Sequence, residues 1–268
     1  MLSAKMGSRI ARFGGAALVA CVLVGCSDTS EPSVAPTTSR ERHPDIDYSY
    51  VWSASPGVDL FGRPAELVRA TLEASQYAYF VGIDESYPGF QKATQQAVDS
   101  NDPNADALLS LKAVTSPEKP APHTTFAHIT NLSGNDTEVS AFVCRYDVPA
   151  PNQGGRAERW LARVMQVRLT NSANTPGRAG IADTDPNQTD PRAHMPPNWD
   201  VFGNWNVVGA KWVLPDQVPG QGCTAWWHER FPEFAISADG SLDAPQDWQA
   251  PAMPVAAQYP EWIGPGTQ

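Results

Sequence analysis

The N-terminal residues of this chain have the charge and hydropathy pattern of an export signal. Lys5, Arg9 and Arg12 precede a run from Phe13 to Val24 that contains no charged residue. That run is shorter than the roughly 20 apolar residues that a helix needs to cross a bilayer, and it ends in small residues, as secretory signal peptides do. We therefore predict that residues 1–25 direct export and are removed, so that the remaining residues build the fold outside the cytoplasm.

The residue after this run is a cysteine, and the sequence Leu23-Val24-Gly25-Cys26 resembles the lipobox of bacterial lipoproteins. The resemblance implies that Cys26 is diacylated and becomes the new N-terminus. Two acyl chains hold a soluble domain stably on a membrane surface, which predicts a location on the extracytoplasmic face of the cell membrane. The alternative is an ordinary secretory peptide that is cleaved near Gly25, in which case Cys26 has no special role.

The remaining cysteines and the net charge restrict what the exported part can do. Cys21 leaves with the signal and Cys26 carries lipid, so Cys144 and Cys223 are the pair expected to form a disulfide in an oxidising compartment. The formal net charge is −10, and no cluster of Lys and Arg is available to neutralise phosphates. The composition therefore argues against nucleic-acid binding.

Composition also divides the exported part into segments. Residues 26–57 are predicted to be a lipid-anchored flexible tether, because Ser, Thr, Pro and charged residues dominate Ser27 to Arg42. Tyr48, Tyr50 and Trp52 alternate within it and predict either a short strand or an arm packed on the domain. Residues 58–238 have the length of a single domain, and residues 239–268 are predicted to be a Pro-rich tail.

Within that domain, helices come first and strands follow. A stripe of Leu67, Ala70, Ala74, Tyr77, Ala78 and Val81 predicts an amphipathic helix that starts near Pro64. Weaker helices are predicted over Phe90–Val98 and Ala105–Ala113. Strands are predicted over Thr124–Leu132, Thr137–Tyr146, Trp160–Thr170 and Asn204–Leu214. The turn sequence Ser133-Gly-Asn-Asp136 predicts that the first two form a hairpin. Alternation in the second strand places Val139, Ala141 and Val143 on one face and Phe142 and Cys144 on the other. The order favours an α+β fold, in which helices cover one face of a curved antiparallel sheet.

Residues 64–214 resemble the cone-shaped, nuclear-transport-factor-2-like domains found in exported proteins of high-GC Gram-positive bacteria. The resemblance is carried by the element order and by the sequences LSGNDTEVSAFVC, RVMQVRLT and GNWNVVGAKWV. It implies a cavity between the helices and the sheet. The loop at 171–198 and the segment CTAWWH depart from the usual short form, and a loop of that length is either functional or disordered.

Relatives of that fold carry out general-base reactions with an Asp or a His inside the cone, so the resemblance implies that a catalytic residue here would lie in the cavity. The candidates are Tyr77, Asp84, His128 and Tyr146. His128 alternates with Ile129, so it points away from the helices if Ile129 faces them. Asp84 is equally explained as a solvated residue at the end of a helix.

Other catalytic and cofactor signatures are missing from the sequence. The 5 His have no i, i+4 pair of the kind that forms a helical zinc site, and the chain has neither a Gly-x-Ser-x-Gly elbow nor a Gly-rich phosphate loop. We therefore predict no metal and no cofactor.

Tryptophans concentrate in the C-terminal half, where Trp205, Trp212, Trp226 and Trp227 are candidates for a binding surface. The alternative is that they form a core, with the adjacent pair Trp226 and Trp227 packed on the disulfide. If that pair lies on a strand, its two side chains point to opposite faces.

These observations predict a non-enzymatic, membrane-anchored module of the cell envelope that binds a small apolar ligand or a partner protein. Two alternatives remain open. An isomerase-like or cyclase-like enzyme would need an acid or base in the cavity, and a structural scaffold of an envelope assembly would have a filled cavity and an exposed apolar patch.

Overall fold

The structure, a computed structural model, describes residues 46–109, 119–151 and 162–265. The predicted signal peptide, Cys26 and residues 27–45 lie outside this part of the chain. The helices and strands are, in chain order, β1 (Tyr48–Ala54), α1 (Arg63–Val81), α2 (Phe90–Ser100), α3 (Asp106–Leu109), β2 (His123–Gly134), β3 (Glu138–Pro149), β4 (Arg163–Asn171), β5 (Trp205–Val213), α4 (Gly222–Arg230), β6 (Ala235–Ile236) and β7 (Leu242–Asp243). No described helix is long and apolar enough to span a membrane.

The fold is α+β, as predicted, and is built around a five-stranded sheet with the order β1-β2-β3-β4-β5. Strands β2 to β5 pair antiparallel, and a turn at residues 135–137 joins β2 to β3 as the hairpin signal predicted. The sheet differs from the expectation at one edge, where β1 pairs parallel to β2. A parallel neighbour needs a long crossover, and α1, α2 and α3 supply it.

The two faces of the sheet support two separate cores. Helix α1 packs on the face that carries Val139, Ala141 and Val143, and we call this the α1 face. Helix α4 packs on the opposite face, the α4 face, where Cys144 forms the predicted disulfide with Cys223. The predicted division of the β3 side chains between the two faces is therefore confirmed.

Residues 48–54 and the C-terminal segment are integral parts of this fold, so the folded part of the chain extends beyond the predicted boundaries at 57 and 239. The short strand, one of the two alternatives for Tyr48, Tyr50 and Trp52, is present. Strand β1 is buried in the sheet through Tyr48, Tyr50 and Trp52. Its outer edge is covered by Tyr259, whose backbone N–H donates to the carbonyl of Tyr50 (2.9 Å) and whose carbonyl accepts from Trp52 (2.8 Å). Trp262 is buried in the same core. The polar, Pro-rich composition of the C-terminal segment did not indicate this packing, because backbone hydrogen bonding needs no apolar side chains.

The loop at 171–198 joins the start of α1 to the C-terminal segment. The backbone N–H of Gly180 donates to Glu66 Oε1 on α1 (2.6 Å), and the N–H of Ile181 donates to the carbonyl of Ile263 (2.9 Å). Arg63 Nε donates to the carbonyl of Pro176 (2.8 Å). These bonds satisfy backbone groups of the loop, and this pairing could not be predicted from the loop sequence.

The buried carboxylate of Glu73 connects α1 to β1 and to the C-terminal segment. Glu73 accepts hydrogen bonds from Trp52 Nε1 on β1 (2.7 Å) and from the Tyr87 hydroxyl (2.7 Å). It also accepts from Trp262 Nε1 (2.8 Å) and Gln258 Nε2 (3.1 Å) of the C-terminal segment. We call these five residues the Glu73 cluster, and it fixes the position of α1 above the sheet.

Candidate functional site

A cavity of about 440 Å³ opens between α1 and the sheet, and we call it the Arg145 pocket. One wall is apolar and the other carries charged and hydrogen-bonding groups. The apolar wall includes Leu72, Phe80, Met165 and Trp212, and the polar wall includes Gln76, His123, Arg145, Asp147 and Arg163. The volume lies in the range of small-molecule sites, which also combine apolar surface with a few converging polar groups.

The strand register explains why polar groups collect at this end of the sheet. Val143 pairs with Met165 and Arg145 pairs with Arg163, so all four side chains belong to the α1 face. The apolar rows of the core thus continue into a charged row. Asp147, two residues further along β3, extends this charged row on the same face.

Arg145 is the centre of the polar wall. Its Nη2 donates to both carboxylate oxygens of Asp147 (3.0 and 2.9 Å), and its Nη1 donates to Gln76 Oε1 (3.2 Å). Burial raises the pKa of Asp147, but Arg145 and the hydrogen bond from the Thr125 hydroxyl outweigh it, so the pKa of Asp147 lies below its ordinary value. The pair is therefore ionised at neutral pH.

Gln76 connects this ion pair to a histidine. Its Oε1 accepts from Arg145 and from the Tyr50 hydroxyl, which leaves its Nε2 as the donor toward His123 Nε2 (3.3 Å). His123 Nδ1 lies 2.7 Å from the carbonyl of Ala121, which can only accept. This contact therefore places a proton on His123 Nδ1.

The four residues predicted for catalysis do not form one site. Tyr146 lies with His128 on the α4 face, where both contact Trp226, and the other two lie elsewhere. Tyr77 is buried in the α1-face core and makes an edge contact with Tyr87. Asp84 is exposed in the turn after α1, where it accepts a hydrogen bond from Gln91 Nε2 (2.9 Å). His128 lies on the α4 face, opposite Ile129 as the alternation predicted.

His128 is held in a closed site beneath α4. Its ring stacks on Trp226, its Nδ1 contacts the Ser53 hydroxyl (2.8 Å) and its Nε2 contacts the Ser55 hydroxyl (3.0 Å). Burial, aided by the charge of Arg230, lowers the pKa of His128 to about 4. It is therefore neutral at pH 7, and this site lies on the opposite face of the sheet from the Arg145 pocket.

Of the four tryptophans predicted for binding, Trp212 lines the pocket and is 37% exposed. Trp205 is buried, and its Nε1 donates to the carbonyl of Pro176 (3.0 Å). Trp226 and Trp227 lie on α4, so the assumption that they occupy a strand is wrong. Both are buried in the core around the disulfide, which is the alternative that the sequence left open.

The sequence did not single out Gln76, His123, Arg145, Asp147 or Arg163. One local signal was available: Val139, Ala141 and Val143 alternate on the core face of β3, and the next two positions of that alternation are Arg145 and Asp147. Charged residues on a core face indicate either an ion pair or a site.

Comparison with known proteins adds no assignment to this geometry. Neither the protein-family models nor the curated proteins nor the solved structures contain a match to the chain. In the part of the chain that the structure describes, no group of three His, Cys, Asp or Glu side chains is arranged to hold a metal ion.

Proposed function

We propose that this chain is an exported protein, held at the membrane surface by lipid on Cys26, and that its Arg145 pocket binds a small, partly apolar molecule. One observation carries the proposal, namely the open cavity between α1 and the sheet with one apolar wall and one polar, charged wall. A scaffold protein would gain stability by filling that volume with side chains. The open cavity therefore favours binding over a purely structural role.

The position of the cavity supports a relationship with the nuclear-transport-factor-2-like domains, whose cavities lie between the helices and the sheet. Two features depart from the simple form of that fold, since β1 pairs parallel at one edge and α4 covers the outer face. The acid–base alternative has less support, because Tyr77, Asp84 and His128 occupy three separate environments.

The binding proposal is tested by filling the pocket. Ser75 lines it from α1, so Ser75→Phe is expected to weaken binding of the neutral fluorescent probe Prodan by about tenfold or more, by occupying the volume that the probe needs. Titration of Prodan fluorescence on the purified Cys26→Ser chain measures this. The matched control is Gln96→Phe on the exposed face of α2, which is expected to leave the affinity unchanged. Prodan binding that survives Ser75→Phe would exclude this pocket.

The anchoring proposal is tested by acyl labelling. Full-length chain expressed in a Gram-positive host that is fed an alkyne analogue of palmitate is expected to carry the label and to sediment with membranes. Cys26→Ser is expected to abolish both, because the lipobox cysteine supplies the acceptor thiol. Cys21→Ser is the matched control and should leave the label intact. Equal labelling of the Cys26→Ser chain would refute the anchor.

A further inference from the structure

Two arginines lie side by side on adjacent strands at the polar wall of the Arg145 pocket. Arg145 on β3 is the direct register partner of Arg163 on β4, and directly opposed side chains of antiparallel strands point to the same face, with Cβ atoms about 4.5–5.5 Å apart. Like charges in this arrangement repel and destabilise the sheet. Their juxtaposition at a cavity calls for a compensating negative charge.

The described residues compensate only one of the two charges. Asp147 forms an ion pair with Arg145 (2.9 Å). For Arg163, the contact that the structure records is the face of Trp212, with the guanidinium carbon 5.4 Å from the ring centroid. Among the described residues that line the pocket, the two guanidinium groups therefore exceed the carboxylate by one positive charge.

Arg145 also retains an unused donor. Its Nε–H is buried and has no hydrogen-bond partner among the described residues, although its Nη atoms are bound to Asp147 and Gln76. A buried donor without an acceptor is costly, and a bound oxyanion would remove that cost. The net charge of the chain is −10, so this local excess of positive charge runs against the overall charge of the chain.

We infer that the ligand of the Arg145 pocket is an amphipathic acid, an inference that rests on the proposed binding function. Its carboxylate or phosphate head lies between Arg145 and Arg163, where charge-assisted hydrogen bonds are strongest. Its apolar chain lies over Leu72, Phe80 and Met165. Trp212, whose ring lies against the Arg163 guanidinium, lines the pocket next to the head group.

The inference is tested with three probes that share one apolar chain, namely decanoate, decyl phosphate and decanol, each titrated against the Prodan complex of the Cys26→Ser chain. The acids are expected to displace Prodan at concentrations about tenfold or more below decanol. Arg163→Gln is expected to remove that advantage without changing the decanol affinity. Arg168→Gln is the matched control, because Arg168 is exposed on the same strand but belongs to the opposite face.

Each outcome has a defined meaning. Preference for decanoate or for decyl phosphate identifies the head group and supports the inference. Equal displacement by decanol and both acids would overturn the acid assignment and leave the binding function standing. Failure of Prodan and all three probes to bind would overturn both. A preference for acids that Arg168→Gln abolishes as strongly as Arg163→Gln would place the head group outside this pocket and refute the inference.

Discussion

Replacing Glu73 with alanine is expected to lower the free energy of unfolding by about 3–5 kcal/mol, the usual cost of removing one partner from a buried charged cluster. The carboxylate oxygens accept hydrogen bonds from Trp52, Tyr87, Gln258 and Trp262. Alanine leaves those donors without an acceptor in a dry interior. Urea unfolding of the Cys26→Ser chain, followed by tryptophan fluorescence, measures the loss.

Arg69 adds to this effect. It is buried one turn before Glu73 on α1, its guanidinium lies 4.7 Å from the centroid of the Trp262 ring, and its Nε and Nη1 atoms have no hydrogen-bond partner among the described residues. Burial raises the pKa of Glu73, although the positive charge of Arg69 opposes the rise. Removing the carboxylate therefore takes away the largest favourable charge interaction of Arg69 and leaves it only the weaker ones with Glu66, Tyr87 and Asp183.

Two further variants keep this prediction testable if Glu73→Ala does not fold. Glu73→Gln retains one acceptor oxygen and the side-chain volume, so it is expected to cost about 1–3 kcal/mol. Glu85→Ala removes an exposed carboxylate beyond the end of α1 and is expected to change stability by less than about 0.5 kcal/mol. Equal midpoints for Glu73→Gln and Glu85→Ala would show that the Glu73 cluster does not stabilise the fold.

The Glu73 cluster also marks the limit of what local sequence predicts. The apolar stripe of α1 was identified from its helical period, and Leu67, Ala70 and Ala74 do lie in the core. Glu73 and Arg69 fall outside that stripe, where the amphipathic pattern predicts solvated side chains. They are buried because the C-terminal segment returns to cover the other side of α1, an arrangement that no window of neighbouring residues contains.

Strand pairing was easier to predict from the sequence because it depends on neighbouring residues. The alternation of β3 and the turn signal before it placed Val143 and Cys144 on opposite faces correctly. The same rule gave the orientation of His128 relative to Ile129. It failed for Trp226 and Trp227, because the rule was applied to a segment that forms the short helix α4 instead of a strand.

The pocket was missed for a different reason. Its polar wall combines Gln76 from α1, His123 from β2, Arg145 and Asp147 from β3 and Arg163 from β4. Gln76, His123 and Arg163, taken alone, carry no signal in their neighbouring sequence. Their convergence depends on strand register and on where α1 crosses the sheet, and both are tertiary properties.

Removing the disulfide is the second change with a large expected effect. The bridge joins residues 79 positions apart, and the loop-entropy model assigns such a closure about 4 kcal/mol of stability. The double variant Cys144→Ala, Cys223→Ala is therefore expected to unfold roughly 8–16 °C below the parent chain, given about 2–4 °C per kcal/mol for a domain of this size. Thermal unfolding under non-reducing conditions measures the shift.

The disulfide has a specific local task, because α4 spans only Gly222–Arg230 and is too short to be stable alone. Cys223 attaches it to β3, and Trp226 then covers His128. In the double variant we expect α4 to loosen, so that the pKa of His128 returns from about 4 toward the roughly 6.5 of a solvated His, as an NMR titration of the ring would show. Reductant serves as the control, since it should bring the parent to the midpoint of the variant and leave the variant unchanged. If the parent, fully reduced before unfolding, keeps its original midpoint, the bridge does not hold this face of the protein together.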